Sequence, residues 1–227
     1  MRKITLILAE AAIELVPSEL ASGRDVVSWA RRRGKRPEET ILDISYHYRS
    51  MKKLRDWHKR GRPDIIHTTL LVATSSLLWR RGFVRVVLDT RHGLVFFRED
   101  IRLTKNYNRF IGLMEQVFVS GSAPPNTDKP LIWVVKKDLY QFLEEERFDS
   151  VYILHEKGSR VSPRELAREI VSKESIGLIV GGFQRGDFSE KILSLPYPKI
   201  SIADEVLDTW AVVCRIFSSI EDVLFSQ

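Results

Sequence analysis

The sequence predicts an α/β fold built on a parallel sheet, and two observations carry that prediction. After Pro130, short apolar runs alternate with segments of helical spacing, as they do in βαβ units. Each run is apolar throughout, which indicates strands that are covered on both faces. With 227 residues and 44% hydrophobic side chains, the chain can form a single folded domain, which we predict to span 1–227.

Apolar runs and periodic segments along the whole chain define the predicted elements. Residues 120–130, rich in Ser, Gly and Pro, predict a linker, residues 21–40 a loop or short helix, and Glu10–Leu20 is compatible with a helix that Pro17 breaks. The predicted strands are Ile4–Leu8, Val84–Leu88 and Leu94–Phe97 (a hairpin), Leu131–Val135, Val151–Leu154, Ile176–Val180 and Lys199–Ile202. The predicted helices are Ile65–Trp79, Tyr107–Val119, Leu139–Glu146, Pro163–Val171 and Val206–Leu224.

The last predicted helix carries a wide apolar stripe at helical spacing, from Val206 to Leu224. Such a stripe predicts packing against the core, and its width leaves part of it able to face a second subunit. Cys214 lies in the stripe, so we expect it to be a small buried apolar side chain and not a nucleophile.

Charge is distributed unevenly along the chain. Residues 1–110 hold 23 basic and 12 acidic side chains, a net of +11, whereas residues 111–227 hold 13 basic and 18 acidic ones, a net of −5. A basic surface of this kind is typical of a part that binds a polyanion. The asymmetry favours RNA or DNA binding by the N-terminal part, about 1–120, and another role for residues 131–227.

Two basic runs in the N-terminal half have aromatic side chains among them. They are Arg31–Arg36 and Lys52–Arg62. Basic side chains neutralise phosphates, and aromatic faces stack on unpaired bases. Either run alone is better explained as a solvated arginine-rich surface, so the interpretation as a nucleic-acid surface depends on the charge asymmetry. The aromatic side chains are Trp29, Tyr46, Tyr48 and Trp57.

Composition argues against several functional classes. The single cysteine rules out an internal disulfide and every multi-cysteine metal site. No pair of the five histidines has the zinc-peptidase pattern, and no G-x-S-x-G segment is present. No apolar run approaches the roughly 18 residues that span a bilayer, and the first residues lack signal-peptide character. We therefore expect no metal, no membrane contact and an intracellular location.

A glycine-rich loop, Gly181–Asp187, leaves the end of a predicted strand. Ligands of open α/β sheets bind beyond the carboxyl ends of the strands, and glycines there let backbone amides approach a ligand. The spacing differs from a dinucleotide fingerprint, and Asp187 stands where a phosphate-binding loop has lysine. A cofactor loop and a glycine-rich turn without a ligand are equally compatible with these residues.

Two further segments carry candidate site residues. In the Arg-Gly-Arg-Pro-Asp segment, Asp64 is close enough in sequence to Arg62 to hold its guanidinium in one orientation. Further along, a helical path would put Lys105 and Arg109 on one face, with Arg102 three residues before Lys105. We call Arg102, Lys105 and Arg109 the basic row. Such a row could bind successive phosphates, or it could be a solvated helix face.

Together these segments make the sequence resemble the archaeal and eukaryotic ribosome-biogenesis methyltransferases that modify N1 of a pseudouridine in small-subunit ribosomal RNA, members of the SPOUT or α/β-knot class. The resemblance covers essentially the whole chain, including residues 4–16, 43–48, 181–183 and 200–202. Its most specific motif is Arg-Gly-Arg-Pro-Asp with the basic row downstream. Lys105 stands where the family often has arginine, which keeps a phosphate contact but loses bidentate geometry.

The resemblance implies a fold, a cofactor and a set of contacts. It implies a SPOUT α/β-knot, with a parallel sheet flanked by helices, a C-terminal trefoil knot and N-terminal basic extensions. It also implies S-adenosylmethionine as cofactor and a homodimer. The implied RNA contacts are Arg62, Arg102, Lys105 and Arg109. The implied cofactor contacts are Leu154, His155, Gly158, Gly181, Gly182, Gly186, Ile200, Ser201, Ile202, Ala203, Asp204, Glu205 and Val206.

The implied reaction gives Arg62 and Asp64 catalytic roles as a hypothesis. Methylation of N1 needs that nitrogen to attack the sulfonium methyl and to lose its proton. Arg62 is the best candidate to stabilise negative charge on the ring carbonyls. Asp64 would orient Arg62 or act as a base, and the target base would be splayed out of its stack. The sequence names no unambiguous general base.

Two other functions remain open from the sequence. A non-catalytic ribosomal-RNA-binding assembly factor would bind RNA without S-adenosylmethionine. A nucleotide-binding regulatory domain would be indifferent to neutralisation of Arg62, Arg102 and Arg109. A methyltransferase of this kind would act in the cytoplasm of an archaeal cell, or in the nucleolus of a eukaryotic one.

Overall fold

The computed structural model describes residues 3–225, which form an eight-stranded sheet and the helices around it. Positions 1, 2, 226 and 227, the ends of the predicted 1–227 domain, lie outside the described residues. The strands are β1 (Lys3–Ala9), β2 (Val84–Thr90), β3 (Gly93–Phe97), β4 (Ser122–Ala123), β5 (Ile132–Val135), β6 (Ser150–Arg160), β7 (Ser175–Gly181) and β8 (Lys199–Ser201). The helices are α1 (Arg24–Arg32), α2 (Ile44–Met51), α3 (Pro63–Ser75), α4 (Leu77–Arg80), α5 (Tyr107–Ser120), α6 (Leu139–Glu146), α7 (Pro163–Val171), α8 (Glu190–Leu193) and α9 (Thr209–Phe225).

The predicted parallel sheet forms the centre of the molecule, in the spatial order β2-β1-β7-β6-β8. Strand β1 pairs in parallel with β2 and β7, so that Leu6 lies opposite Val86 on one side and Leu178 on the other. Helices α3, α5, α7 and α9 contribute to the hydrophobic cluster on one face, and α6 and α8 to the cluster on the other. Coverage of both faces explains the continuous apolar strands, and the predicted α/β class is confirmed.

The other edge of the sheet departs from the prediction. The hairpin of β2 and β3 is present as predicted. Strand β5, predicted to begin the parallel series, instead pairs antiparallel with β3 and with β4, which lies inside the predicted linker 120–130. Phe96 and Trp133 stack across this pairing with ring centroids 5.7 Å apart. An apolar run predicts a strand but not its direction, because direction depends on which edge the strand meets.

The stretch Glu10–Leu20 is not the helix that its composition allowed, apart from a 3₁₀ turn at its end. It runs mostly buried and irregular, and Leu15 forms a β-bridge with Ile41. Buried Glu14 accepts two hydrogen bonds from Arg60, Nε–Oε1 at 2.7 Å and Nη2–Oε2 at 2.6 Å. These partners lie far away in sequence and override the local helical pattern.

Helix α9 differs from the prediction at its start and on one face. It begins at Thr209, and Val206 is 75% exposed. The helix packs on α3 and α7 through a stripe that includes Val213 and Phe217. Cys214 is exposed, so the prediction that it is buried is wrong. Successive residues on a helix point about 100° apart, so the residue after Val213 leaves the buried face.

Helices α1 and α2 form a small layer with an apolar cluster of their own, which includes Val26 and Met51. The chain leaves this layer and passes through Gly61 into α3. The Ile44 amide of α2 donates to the Gly61 carbonyl at 2.9 Å, so α2 is bonded to this connection. The basic N-terminal layer is therefore fastened at the start of α3. The trefoil knot of the C-terminal half stays a prediction.

Candidate functional site

Arg62 precedes the first turn of α3 and is held there from two sides. Pro63 occupies the first helical position, where its missing N–H costs no helical hydrogen bond, and the Arg62 amide donates to the Ala12 carbonyl at 2.9 Å. The guanidinium donates twice to Asp64, Nε–Oδ1 at 2.8 Å and Nη2–Oδ2 at 2.7 Å. This hydrogen-bonded carboxylate raises the pKa of Arg62 above its ordinary value. The predicted orientation of Arg62 by Asp64 is present.

Arg62 lines a cavity of about 450 Å³ that lies beyond the carboxyl ends of β7 and β8. Small-molecule pockets in proteins range over roughly 300–1,000 Å³, so a cofactor-sized ligand fits. The remaining walls come mainly from three segments of the C-terminal half. The predicted cofactor residues among them are Leu154, His155, Gly181, Gly186, Ile200, Ser201, Ile202, Ala203, Glu205 and Val206.

The other predicted cofactor residues lie outside this cavity. A Cβ at Gly158 would be 2.4 Å from the carbonyl carbon of Lys199, so glycine lets β6 pass close to β8. A Cβ at Gly182 would be 2.9 Å from the Cα of Ala11, so this glycine permits close packing of the backbone. The Asp204 side chain is 88% exposed and pairs with an arginine of β6.

The glycine-rich loop is held by polar contacts at both ends. His155 Nε2 lies 2.7 Å from Asp187 Oδ1, and Lys157 Nζ lies 3.2 Å from Oδ2. The hydrogen bond to His155 is the main reason why the pKa of Asp187 falls to about 2. The Thr209 hydroxyl donates to the Gly181 carbonyl at 2.7 Å, which joins the loop to the start of α9. The carboxylate that argues against a phosphate-binding loop is thus a structural anchor here.

Sequence reasoning missed part of the cavity wall. The loop and first turn at 207–212 line it, as does Ile65, whereas Phe183 and Gln184 belong to the predicted glycine-rich loop. A local signal exists for the segment 207–212, because Asp208 immediately precedes α9. Aspartate is one of the residues preferred at the position before the first turn of a helix. That signal would have moved the predicted start of α9 and left residues 206–208 as loop. No comparable signal marks Ile65, whose place depends on how α3 packs.

The spacing of the basic row suggested a shared helical face, but the structure does not have one. Residues 101–106 are not helical, and α5 begins only after Asn106, whose side chain accepts from the Arg109 amide at 3.0 Å. An asparagine cap ends the extended segment because it satisfies a free amide of the first turn. All three cations, Arg102, Lys105 and Arg109, are exposed, and none forms an ion pair with any residue in 3–225. They are free to bind an external anion.

Hydrogen bonds hold the basic row beside α3. The Tyr107 hydroxyl donates to Asp43 Oδ2 at 2.6 Å, and His67 Nε2 donates to the Thr104 carbonyl at 2.8 Å. Burial and the bond to Asp43 raise the pKa of Tyr107 far above its ordinary value, so the hydroxyl keeps its proton. Asp43 and Tyr107 also add to the electrostatic field at Arg62. Arg62 therefore lines the cavity and lies within electrostatic reach of Tyr107, the residue between Lys105 and Arg109 in sequence at the start of α5.

Metal-binding clusters and membrane-spanning helices are both absent from residues 3–225. That part of the chain contains no group of three or more His, Cys, Asp or Glu side chains able to hold a metal ion. None of its helices is both long enough and apolar enough to cross a membrane. The cavity itself is lined by Arg62 and by loops of the C-terminal half.

The fold and the site define a class of protein: an open α/β fold that takes a small ligand beyond the carboxyl ends of its strands, next to an exposed cationic surface. A family model described as EMG1/NEP1 methyltransferase matches residues 6–221. The chain belongs to the EMG1/NEP1 methyltransferase family, and the resemblance inferred from its motifs is confirmed.

Similar proteins extend over nearly the whole chain. Ribosomal RNA small subunit methyltransferase Nep1 of Staphylothermus marinus is 41% identical over 219 residues, covering 96% of this chain and 95% of that protein. The Nep1 protein of Pyrobaculum neutrophilum is 43% identical over 218 residues, covering 95% and 96%. The crystal structure of Archaeoglobus fulgidus Nep1 bound to S-adenosylhomocysteine matches with a TM-score of 0.86 and 33% identity, covering 98% of this chain and 99% of that one.

Proposed function

We propose that the protein transfers a methyl group from S-adenosylmethionine to N1 of a pseudouridine in small-subunit ribosomal RNA, and that it acts in biogenesis of that subunit. The observation that carries the proposal is Arg62, which Asp64 holds in the cavity wall and which lies within electrostatic reach of Tyr107, between Lys105 and Arg109 in sequence. The names of the Nep1 relatives and the S-adenosylhomocysteine in the Archaeoglobus structure support it. Because these relatives are archaeal, we expect the protein to act in the cytoplasm.

The cavity residues fit S-adenosylmethionine. Leu154, Ile200 and Ile202 offer apolar walls for a purine ring, and the loop backbones at Gly181 and Gly186 offer hydrogen-bonding groups to its polar parts. Bound there, the cofactor would supply a methyl group on a positively charged sulfur. In the same proposal, residues 131–227 form the knotted cofactor part, while about 1–120 bind RNA. Arg62 belongs to the second part and lines the cavity of the first.

In the proposed transfer, Arg62 and Asp64 have different roles. The reaction forms the N1–methyl bond, breaks the sulfur–methyl bond and releases the N1 proton. Arg62 keeps its charge and faces the cavity, so it can stabilise negative charge on a ring carbonyl as that proton leaves. Both Asp64 oxygens accept hydrogen bonds from Arg62, which favours an orienting role for Asp64 over that of general base.

The RNA would be held mainly through its phosphates. Arg102, Lys105 and Arg109 are exposed and unpaired within the described chain, so they can neutralise phosphates without breaking internal ion pairs. The target base would leave its stack to reach Arg62 in the cavity wall. Positioning of base and methyl group would then supply much of the rate enhancement.

A homodimer is part of this proposal. Cys214 on the outward face of α9 is exposed, and Trp210 and Ala211 in the same helix are half-buried and line the cavity. A second copy covering this face would also close part of the cavity. Light scattering coupled to size-exclusion chromatography tests it, and a mass near the 26.3 kDa of one chain would contradict the dimer.

The first experiment is methyl transfer from labelled S-adenosylmethionine to two matched small-subunit hairpins, one with uridine and one with pseudouridine at the loop target. We expect label in the pseudouridine RNA alone, because only pseudouridine has a free N1–H in a ring attached through carbon. Label in both hairpins would contradict the N1 assignment. The R62A variant is the control for transfer that bypasses the site.

The same experiment separates the alternative function. Tight RNA binding without label in either hairpin, and without binding of S-adenosylhomocysteine in calorimetry, would support a non-catalytic assembly factor. Cofactor binding without RNA binding would contradict both. The methyltransferase is favoured because Arg62 lines the cavity and also lies within electrostatic reach of Tyr107, which stands between Lys105 and Arg109 of the basic row in sequence.

A further inference from the structure

A group of aromatic side chains on α1, α2 and the turn after them is not used by the proposed reaction. We call Trp29, Tyr46, Tyr48 and Trp57 the aromatic platform. Trp29 and Tyr46 stack with ring centroids 3.6 Å apart and planes 12° apart, and Tyr48 meets Trp57 edge to face at 6.0 Å. Tyr46 is 41% exposed and Tyr48 is 46% exposed. Exposed rings that hold one another in place offer open faces for a flat partner.

Several cations belong to the same helices and the turn that carry this platform. Lys52 Nζ lies 4.4 Å from the centre of the Tyr48 ring, and Arg31, Arg32, Arg49 and Lys53 are exposed. None of these five side chains forms an ion pair with any residue between positions 3 and 225. The surface thus combines ring faces with uncompensated positive charge. Unpaired nucleotides carry the complementary features, namely flat bases and phosphates.

The platform is continuous with the proposed RNA site. The start of α2 is hydrogen-bonded to Gly61, the residue next to Arg62. Tyr46 lies close enough to Tyr107 to raise the pKa of its hydroxyl, and Tyr107 is bonded to Asp43 beside the basic row. The platform therefore lies near residues of the proposed RNA site.

We propose that the aromatic platform binds unpaired nucleotides that flank the methylated loop, by stacking on Tyr46 and Tyr48 and by phosphate contacts to Lys52 and Arg32. This inference rests on the proposed function, because it extends the RNA interface of that reaction. Charge complementarity and continuity with Arg62 favour RNA as the occupant. The platform does not take part in methyl transfer itself.

The test compares two pseudouridine hairpins, one blunt and one with a five-nucleotide single-stranded extension on each side of the stem. Fluorescence anisotropy gives the dissociation constant of each for wild type, for Y48A and for the double variant Y46A/Y48A. We expect wild type to bind the extended RNA more tightly. The variants should lose about 5- to 100-fold of affinity for the extended RNA, as expected for one or two lost base stacks, and little for the blunt one.

Salt dependence distinguishes stacking from phosphate contacts. Y46A/Y48A should leave the slope of log affinity against log salt unchanged, whereas R32A/K52A should reduce it by about 0.7 for each lost phosphate contact.

Y140A removes another exposed tyrosine, 57% exposed on α6, and should bind both RNAs as wild type does. Y46F and Y48F keep the rings and should also behave as wild type. If Y46A/Y48A folds poorly because Trp29 loses its stacking partner, Y48A alone carries the test.

The outcomes separate this inference from the proposed function. Equal affinity of wild type and Y48A for the extended RNA, with normal methyl transfer to the blunt hairpin, would overturn the platform and leave the reaction intact. Failure of wild type to bind either hairpin would overturn the whole RNA interface, including the platform. Loss of affinity for the blunt hairpin alone would show that Tyr46 and Tyr48 serve the target loop, which also contradicts the inference.

Discussion

Two basic segments of the N-terminal half, residues 31–36 and 102–109, have similar charge and different surroundings in the fold. In the first, Arg33 Nη2 lies 2.7 Å and Lys35 Nζ 2.6 Å from the same carboxylate oxygen of Glu115. In the second, all three cations are exposed and unpaired within the described residues. A basic run in a sequence therefore does not by itself mark an RNA contact, because a distant carboxylate can take its cations.

Glu115 explains why two cations of the first segment, Arg33 and Lys35, are not free to bind RNA. Its side chain is fully buried on α5, and it also accepts from the Ile41 amide at 3.2 Å. A buried carboxylate is unfavourable without charged partners, so the fold draws Arg33 and Lys35 toward it. Arg109 lies less than two turns earlier on the same helix and points to solvent. One helix thus presents a cation at its exposed start and binds two cations in its buried middle.

The largest expected effect comes from removing the cations that Glu115 binds. The double variant R33A/K35A leaves a buried carboxylate without charged partners, so we expect the free energy of unfolding to fall by about 3–5 kcal/mol. Urea unfolding measures it. The neighbouring pair in R31A/R32A is exposed and unpaired, and this matched control should stay within about 0.5 kcal/mol of wild type. A similar loss in both variants would contradict the distinction.

The second prediction carries the same contrast into the Arg-Gly-Arg motif. Arg60 is buried against Glu14, whereas Arg62 faces the cavity. We expect R62A to lower the rate of methyl transfer by about 100- to 1,000-fold, because it removes a donor aimed at developing charge. Its melting temperature should change little. R62K should recover only part of the activity, because lysine cannot make the bidentate bond to Asp64.

R60A should show the opposite pattern from R62A. It should lower stability strongly, because Glu14 stays buried without its partner, while folded protein keeps its specific activity. Single-turnover rates on the folded fraction, with circular dichroism at the same temperature, measure both quantities. Full activity of R62A, or inactivity of well-folded R60A, would break the comparison.

The third prediction concerns the exposed segment. In R102A/K105A/R109A we expect weaker RNA binding and a slope of log affinity against log salt that is smaller by about 2–3, since each phosphate contact contributes about 0.7–0.9. The free energy of unfolding should stay near that of wild type, because these side chains have no partners among the described residues. Filter binding at several salt concentrations measures the slope. An unchanged slope would show that the row does not contact phosphates.

The smallest expected effect concerns Asp89, a largely buried carboxylate that forms no ion pair with the described residues. Burial raises the pKa of Asp89 to about 6, although the Glu10 amide donates to it at 3.0 Å. The folded chain therefore binds more protons than the unfolded chain between about pH 4 and pH 6, and the free energy of unfolding falls as pH rises through that window. D89N should remove this dependence, which amounts to about 2 kcal/mol between pH 4 and pH 7. Urea unfolding from pH 4 to pH 7 measures it, with E144Q, an exposed side chain, as the control.

Local patterns predicted many elements well. The bounds of α6 and α7 agree with the prediction at both ends, because Asp138 and Ser162 cap their first turns through bonds to the third residue beyond. The central strands follow from apolar runs that need no partner to be recognised. The Arg62–Asp64 pair was equally predictable, since only two positions separate its members and both side chains are long enough to meet.

Other features depended on residues far away in sequence. The direction of β5, the irregular path of Glu10–Leu20 and the exposure of Cys214 each differ from what the local pattern indicated. In each case the deciding partner lies in another element: β3 for β5, Arg60 for Glu14, and the packing of α9 on α3 and α7. Of the predicted cofactor residues, most line the cavity, and their roles stay predictions.

The sequence by itself determined the α/β class, the family and the charge asymmetry, because apolar periodicity, caps and the Arg-Gly-Arg-Pro-Asp motif are local properties of the chain. Only the tertiary structure decided which cations are free. Arg33, Lys35 and Arg60 pair with buried carboxylates, Arg62 in the cavity wall pairs with the half-buried Asp64, and the basic row forms no ion pair with the described residues. The physical reason is that the cost of burying Glu14 and Glu115 is met by cations brought close through folding, and this proximity cannot be seen in a one-dimensional pattern.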